Sequence, residues 1–206
     1  MWAVPSPDPG FEIVVASHGM SKGVSQTDGP QLVARASVQL GDVQFGGQWK
    51  NLNSNSADGE ASTFAILSHK FGGLQLAAGV TYKTLTGAPS GIDSDCIELS
   101  AGGSQKLERI TVRLNAIYSA DDIGSSKQSL YVEGGSSIDV TKALRLSANA
   151  GHRWRDNGVE YTSMNAGAVY TVFKGFAIDL RYYRTNRTEL GEVYRNRLVA
   201  SGRWIF

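Results

Sequence analysis

An alternation of apolar and polar residues with period two recurs along this 206-residue chain, and it decides what the chain can fold into. Leu32, Ala34, Ala36, Val38 and Leu40 interleave with Gln31, Val33, Arg35, Ser37 and Gln39. Val43, Phe45, Gly47 and Trp49 then interleave with Gln44, Gly46, Gln48 and Lys50, with Gly41 and Asp42 between the two runs. Successive side chains of a strand point to opposite faces, so each run is a strand with one apolar face and one largely polar face. The two-residue connection makes the pair a tight hairpin. The pattern returns at Leu74 to Lys83, Arg109 to Tyr118 and Leu144 to Gly151.

Followed along the chain, it predicts strands near residues 11 to 18, 30 to 40, 43 to 51, 60 to 71, 74 to 84, 95 to 105, 108 to 119, 128 to 139, 143 to 155, 160 to 172, 176 to 185 and 194 to 206. The strand at 60 to 71 alternates poorly, which leaves its facing open. Connections alternate between long, as at Gly19 to Gly29, Asn51 to Gly59 and Leu85 to Ser94, and short, as at Gly72-Gly73. This pattern predicts an all-β fold, a transmembrane antiparallel barrel of about twelve strands with short periplasmic turns and longer extracellular loops. Most strands reach the ~9–11 residues that a tilted strand needs to cross a bilayer. An apolar run of about 18 residues, the least a membrane-spanning helix needs, does not occur. None of the five prolines (Pro5, Pro7, Pro9, Pro30 and Pro89) interrupts a predicted strand.

The length suits one domain, with residues 1–10 as an N-terminal periplasmic extension and 11–206 as the barrel. The amino-terminal segment lacks a basic start followed by an apolar stretch, so the expected export signal is absent from this numbering. Aromatic residues sort by strand end. Trp49, Tyr82, Tyr118, Trp154 and Tyr161 lie beside long loops, and Phe71, Phe173, Phe176 and Phe206 beside short turns, as in the two interfacial girdles of a membrane barrel. A soluble β-sandwich would also alternate, but it has no reason to sort aromatics this way. The chain finishes on a strand with Leu198, Ala200, Gly202, Trp204 and Phe206 on one face. That ending resembles the carboxy-terminal signal by which bacterial outer-membrane proteins are handed to the barrel assembly machinery.

The segment Gly19-Met20-Ser21-Lys22-Gly23-Val24-Ser25-Gln26-Thr27-Asp28-Gly29-Pro30 resembles the first-loop motif of the TorF family. There an aromatic-Arg-Gly-Ile-Ser-Gln-Thr-Asp pattern precedes a proline and the second strand; Lys22 stands where the family usually has Arg. Echoes at Tyr82 to Gly87, Ile97 to Gly102, Tyr118 to Gly124 and Asp179 to Tyr182 carry the resemblance across most of the chain. It implies a bacterial outer-membrane barrel, called a porin mainly by inference, and brings no catalytic residues and no substrate. Gly19, Gly23 and Gly29 permit tight backbone, and Ser25, Thr27 and Asp28 can bond neighbouring amides. The motif reads either as a folded loop tucked into the barrel mouth or as a constriction whose Lys22 and Asp28 face a permeating solute.

With apolar residues facing lipid, the opposite parity points Arg35, Lys50, Lys83, Arg109, Arg113, Arg145, Arg153, Arg181, Arg195, Arg197 and Arg203 inward. The matching acids are Glu98, Glu133, Asp139 and Asp179, although the chain as a whole carries a net charge of only +1. A basic lumen concentrates anions, and the planar Arg fork suits carboxylate and phosphate. The expected function is an outer-membrane channel for passive diffusion of small solutes, mildly anion-selective, with small anionic solutes among its partners, lipid and lipopolysaccharide outside and both termini periplasmic. One alternative is a channel for acidic oligosaccharides or organic anions. Another is a plugged structural or partner-binding barrel, with Arg–acid networks such as Glu133 between Arg113 and Arg145, or Glu12 with Arg203. Hydrolysis is not expected. His152 has Leu130, Val132, Thr162 and Met164 as expected outward neighbours and no serine, and His18 and His69 show no metal-ligand spacing. The lone Cys96 has no partner for a disulfide or a CxxC site and is expected to be structural. No cofactor is expected. The balanced overall charge argues against nucleic-acid binding.

Overall fold

The computed structural model describes residues 8–54, 57–124 and 126–206. Fourteen strands alternate with turns and loops: β1 (Asp8–Ala16), β2 (Met20–Ser21), β3 (Val24–Ser25), β4 (Gln31–Leu40), β5 (Val43–Ser54), β6 (Ala57–Phe71), β7 (Leu74–Thr86), β8 (Asp95–Leu107), β9 (Ile110–Ser119), β10 (Ser129–Asp139), β11 (Leu144–Arg155), β12 (Tyr161–Phe173), β13 (Phe176–Thr185) and β14 (Arg197–Ile205). Twelve of them, β1 and β4 to β14, close an antiparallel barrel in sequence order; β2 and β3 form a separate small hairpin. Closure is made by β1 against β14, with Glu12 opposite Ile205 and Ala16 opposite Ser201, and by β1 against β4 on its other side.

The wall is inside-out relative to a soluble protein. Leu32, Phe45, Leu67, Leu76, Leu99, Leu114, Leu146, Met164, Leu180 and Leu198 are exposed on the outer face, while Lys50, Glu60, Glu98, Asn149 and Asn165 are buried within. A water-soluble domain rarely exposes so continuous an apolar surface, whereas hydrocarbon solvates it without cost. Trp49, Tyr82 and Trp154 are exposed at the loop end, and Phe71, Phe173 and Phe206 at the turn end. Tyr161 departs from this pattern. It is fully buried, because it lies opposite the inward Arg153 and so shares its face.

Two-residue turns at the end holding both chain termini use positive φ at Gly41, Gly72, Glu108 and Gly175. Several predicted boundaries move. β1 begins at Asp8 and pairs Gly10 with Ser37, so residues 8–10 belong to the wall; residues 1–7 lie outside the described residues. Pro9 therefore sits in a strand, at a level where β14 has not yet begun to pair with β1 and no ladder bond on that side is lost. The expected long loop at 51 to 59 is instead strand on both sides, with Asn51 opposite Gly59 and Ser54 opposite Ala57. The open facing of β6 is settled by register: Glu60 opposes Lys50, and Phe64 opposes Gly46, so Glu60, Ser62, Phe64 and Ile66 point inward.

Candidate functional site

The Gly19–Gly29 segment folds back into the barrel. Met20 pairs with Ser25 and Ser21 with Val24, and the tip residues Lys22 (φ 49) and Gly23 (φ 82) take the positive dihedrals of a primed hairpin turn. Local bonds stiffen it: Gly19 N donates to Thr27 Oγ1 at 2.7 Å, Thr27 Oγ1 to Gly29 O at 2.6 Å, and Ser25 Oγ to Thr27 O at 2.8 Å. The tip crosses to walls remote from β1. Lys22 Nζ donates to Glu98 Oε1 of β8 at 2.6 Å, and Tyr161 Oη of β12 donates to the Lys22 carbonyl at 3.0 Å. From β5, Lys50 Nζ donates to Gln26 Oε1 at 2.7 Å and pairs with Glu60 at 3.1 Å. Glu98 also takes Lys83 at 2.7 Å.

A second loop joins this cluster: Asp122, between β9 and β10, accepts from Arg153 and is buried. Burial alone would raise the Asp122 pKa, but Lys22 and Arg153 outweigh it and hold the carboxyl below its ordinary value. Lys22 is shifted down, first by burial and then by Arg153, against the pull of Glu98. A depressed carboxyl pKa stabilises the folded state above the unfolded value, about 3.9 for Asp, and that contribution fades as pH falls through the lower folded value. Residues 120–124 and 126–128 will therefore keep their exchange protection at about pH 4 and lose it only at lower pH. Hydrogen exchange corrected for its intrinsic pH dependence checks this; protection already lost well above that value contradicts it.

Below the hairpin, polar side chains form a belt across β9 to β13. Arg113 Nη2 donates to Asn149 Oδ1 at 2.5 Å, Asn149 Nδ2 to Asn165 Oδ1 at 2.7 Å, and Arg181 Nη1 to the same Asn165 oxygen at 2.8 Å. Arg181 also reaches Ser147 at 2.9 Å and Asp179 at 3.2 Å. On the opposite wall the Arg35 guanidinium lies 4.3 Å from the Phe64 ring centroid and donates to Gln44 at 3.1 Å. Neither Arg35 nor Arg113 has a carboxylate partner among the described residues. Three cavities surround the hairpin. About 410 Å³ lies above it among Lys22, Asp28, Arg153 and Val193, about 360 Å³ beside β4 to β7, and about 220 Å³ beside the Arg113–Arg181 belt.

The structure thus gathers Lys22, Lys83 and Arg153 into one charged cluster and Arg113 and Arg181 into another, and sets Arg35 across the lumen. Asp28 borders the upper cavity and is exposed. Arg145 with Asp139 (2.6 Å) and Arg203 with Glu12 (3.9 Å) pair at the turn-end rim. Arg109 and Arg195 correct the expected lining: Arg109 is in the two-residue turn before β9, and Arg195 precedes β14 in a loop, paired with Glu192 at 2.5 Å. Arg197 starts β14 and bonds the Glu192 carbonyl at 2.9 Å. Glu133 bonds Tyr131 Oη at 2.9 Å instead of bridging Arg113 and Arg145. Glu60, Asp122 and Tyr161 are site residues that sequence reasoning missed. Parity opposite to that of the outward Thr162 and Met164 was the available signal for Tyr161; nothing local marks Asp122.

Cys96 Sγ and the carboxylates of Glu98 and Asp122 come within 4.8 Å of one another. Lys22, Lys83 and Arg153 already neutralise those two acids, which makes the group a salt-bridged core. His152 bonds Thr162 at 2.8 Å and packs on Trp154.

A closed twelve-stranded wall, apolar outside and charged inside with a loop folded into its bore, defines the porin-type barrel fold. No family model matches the chain, and no curated protein matches it. Solved structures of the same architecture do. The KdgM porin in complex with disordered oligogalacturonate superposes with a TM-score of 0.66 at 11% identity, over 96% of this chain and 99% of that one. The NanC porin gives 0.65 at 8% identity, over 95% and 97%. An outer membrane channel from Pseudomonas putida F1 gives 0.59 at 15% identity, over 100% and 96%. At such identities the likeness is one of fold.

Proposed function

We propose that the protein is an outer-membrane channel for passive diffusion of small solutes, with a mild preference for anions. The observation that carries this reading is the pair Arg35 and Arg113, two lumen cations on opposite walls without a carboxylate partner among the described residues. Unneutralised charge in a narrow bore raises the local concentration of the opposite ion. The first-loop motif supports a place in the TorF family, and the membrane-type wall supports the outer membrane, with the turn end and both termini in the periplasm. In this reading Lys22 and Asp28 border the solute path at the constriction, and the strand ending at Phe206 is the handle for barrel assembly.

Proteoliposomes carrying the protein should swell in isotonic solutions of small solutes, while empty vesicles do not; absence of swelling with folded protein rejects the channel. The double substitution Arg35→Gln with Arg113→Gln should lower the chloride-to-potassium permeability ratio by about twofold or more, read from reversal potentials under a salt gradient. An unchanged ratio removes these residues from selectivity. Three hydrogen bonds from the hairpin to the wall favour a second reading, a plugged barrel with a structural or partner-binding role. The arginine belt gives a third, a path for an acidic oligosaccharide of the kind named for the KdgM complex.

A further inference from the structure

Beside the hairpin the bore is chemically two-sided. The β9 to β13 side is hydrogen-bonded polar surface, built from Arg113, Asn149, Asn165 and Arg181. The β4 to β6 side is mixed: Val33, Phe64 and Ile66 face the interior together with Met20 of the hairpin, and they share a cavity of about 360 Å³ with Arg35 and the paired Lys50 and Glu60. Three apolar residues on the polar face of a barrel wall are unexpected, since that face meets water. The wall is also shaped for the ring. A Cβ at Gly46 would stand 2.3 Å from the Phe64 ring, so the glycine clears the space it occupies. The cation of the same patch, Arg35, lies over that ring and makes one side-chain hydrogen bond among the described residues, to Gln44, which leaves donors of its fork for another acceptor.

We propose that this patch is a selectivity site for monocarboxylates with an aromatic or branched apolar body. The carboxylate takes the free donors of Arg35, and the body lies against Phe64, Ile66 and Met20, replacing water on surfaces that hydrate poorly. A polyhydroxylated anion of equal size loses hydration there and gains no apolar contact, so it is the poorer permeant. This proposal rests on the channel reading and adds to it the class of solute.

Benzoate and threonate have equal numbers of non-hydrogen atoms and one carboxylate each, which isolates the body's chemistry. Bi-ionic reversal potentials against chloride in planar bilayers give each anion's relative permeability. The benzoate-to-threonate ratio should exceed their ratio of free-solution mobilities by about fivefold. Phe64→Gln should bring it close to the mobility ratio. Met20→Gln, on the loop and outside the barrel wall, should lower it in the same direction and guards against a misfolded Phe64 variant. A ratio in the unchanged protein equal to the mobility ratio overturns the proposal while chloride current preserves the channel. A high ratio untouched by both substitutions overturns the assignment to this patch. Absence of chloride current overturns the channel reading and the proposal with it.

Discussion

Replacing Gly23 with valine will free the first loop from the lumen and raise single-channel conductance severalfold. Gly23 has φ +82, and a Cβ there would stand 2.2 Å from both Cβ and Oγ of Ser163. Ser163 cannot yield, being buried in β12 with Oγ 3.3 Å from the Tyr131 hydroxyl. The hairpin tip must therefore retreat, and its retreat breaks the Tyr161 bond to the Lys22 carbonyl and the Lys22 bond to Glu98. A left-handed β-branched residue costs about 1–3 kcal/mol before the clash is counted, enough to shift the docked-to-undocked ratio by roughly fivefold or more. Gly29→Ala is the matched control, because a Cβ there meets nothing within 4 Å and φ is not positive. Equal conductance in both variants would mean that the hairpin does not set the bore.

The second large effect is on stability. Glu98→Gln leaves Lys22 and Lys83 as buried ammonium groups that have lost a shared carboxylate at 2.6 and 2.7 Å. Breaking a buried ion pair by removing one partner costs about 3–5 kcal/mol, because the surviving charge keeps its desolvation penalty. The barrel should unfold at a markedly lower denaturant concentration, followed by the loss of its β-sheet circular dichroism. Adding Lys22→Met should recover part of the loss, since one stranded charge goes with it. A Glu98→Gln protein as stable as the parent would show that water already screens the cluster.

The wall was legible from the alternation alone, because a period-two pattern with an apolar outer face admits few registers once one face must meet hydrocarbon. Twelve strands, the short turns and the inward Arg35, Arg113, Arg153 and Arg181 followed from it. What was not legible depends on three-dimensional pairing. β6 is apolar on both faces around Phe64 to Leu67, so its facing was readable only from register against Lys50 and Gly46. Asp122 looks like an ordinary loop acid until the loop turns inward to Arg153. Arg109 and Arg195 were displaced from the lumen by a shift of a few residues at strand ends, where the turn residue Glu108 and the loop around Glu192 interrupt the period. The expected excess of unmatched lumen cations accordingly shrinks, with Lys50 held by Glu60 and Arg153 by Asp122.

The central claim is that a path for ions remains past the docked hairpin. Single-channel recording of the refolded, unmodified protein in planar bilayers, with a potassium chloride gradient across the membrane, tests it most directly. Steady openings of small amplitude with a reversal potential favouring chloride are the expected result. Silence from protein shown to be folded by its heat-modifiable mobility and β-sheet spectrum would contradict it, and would leave the hairpin as a plug in a closed barrel.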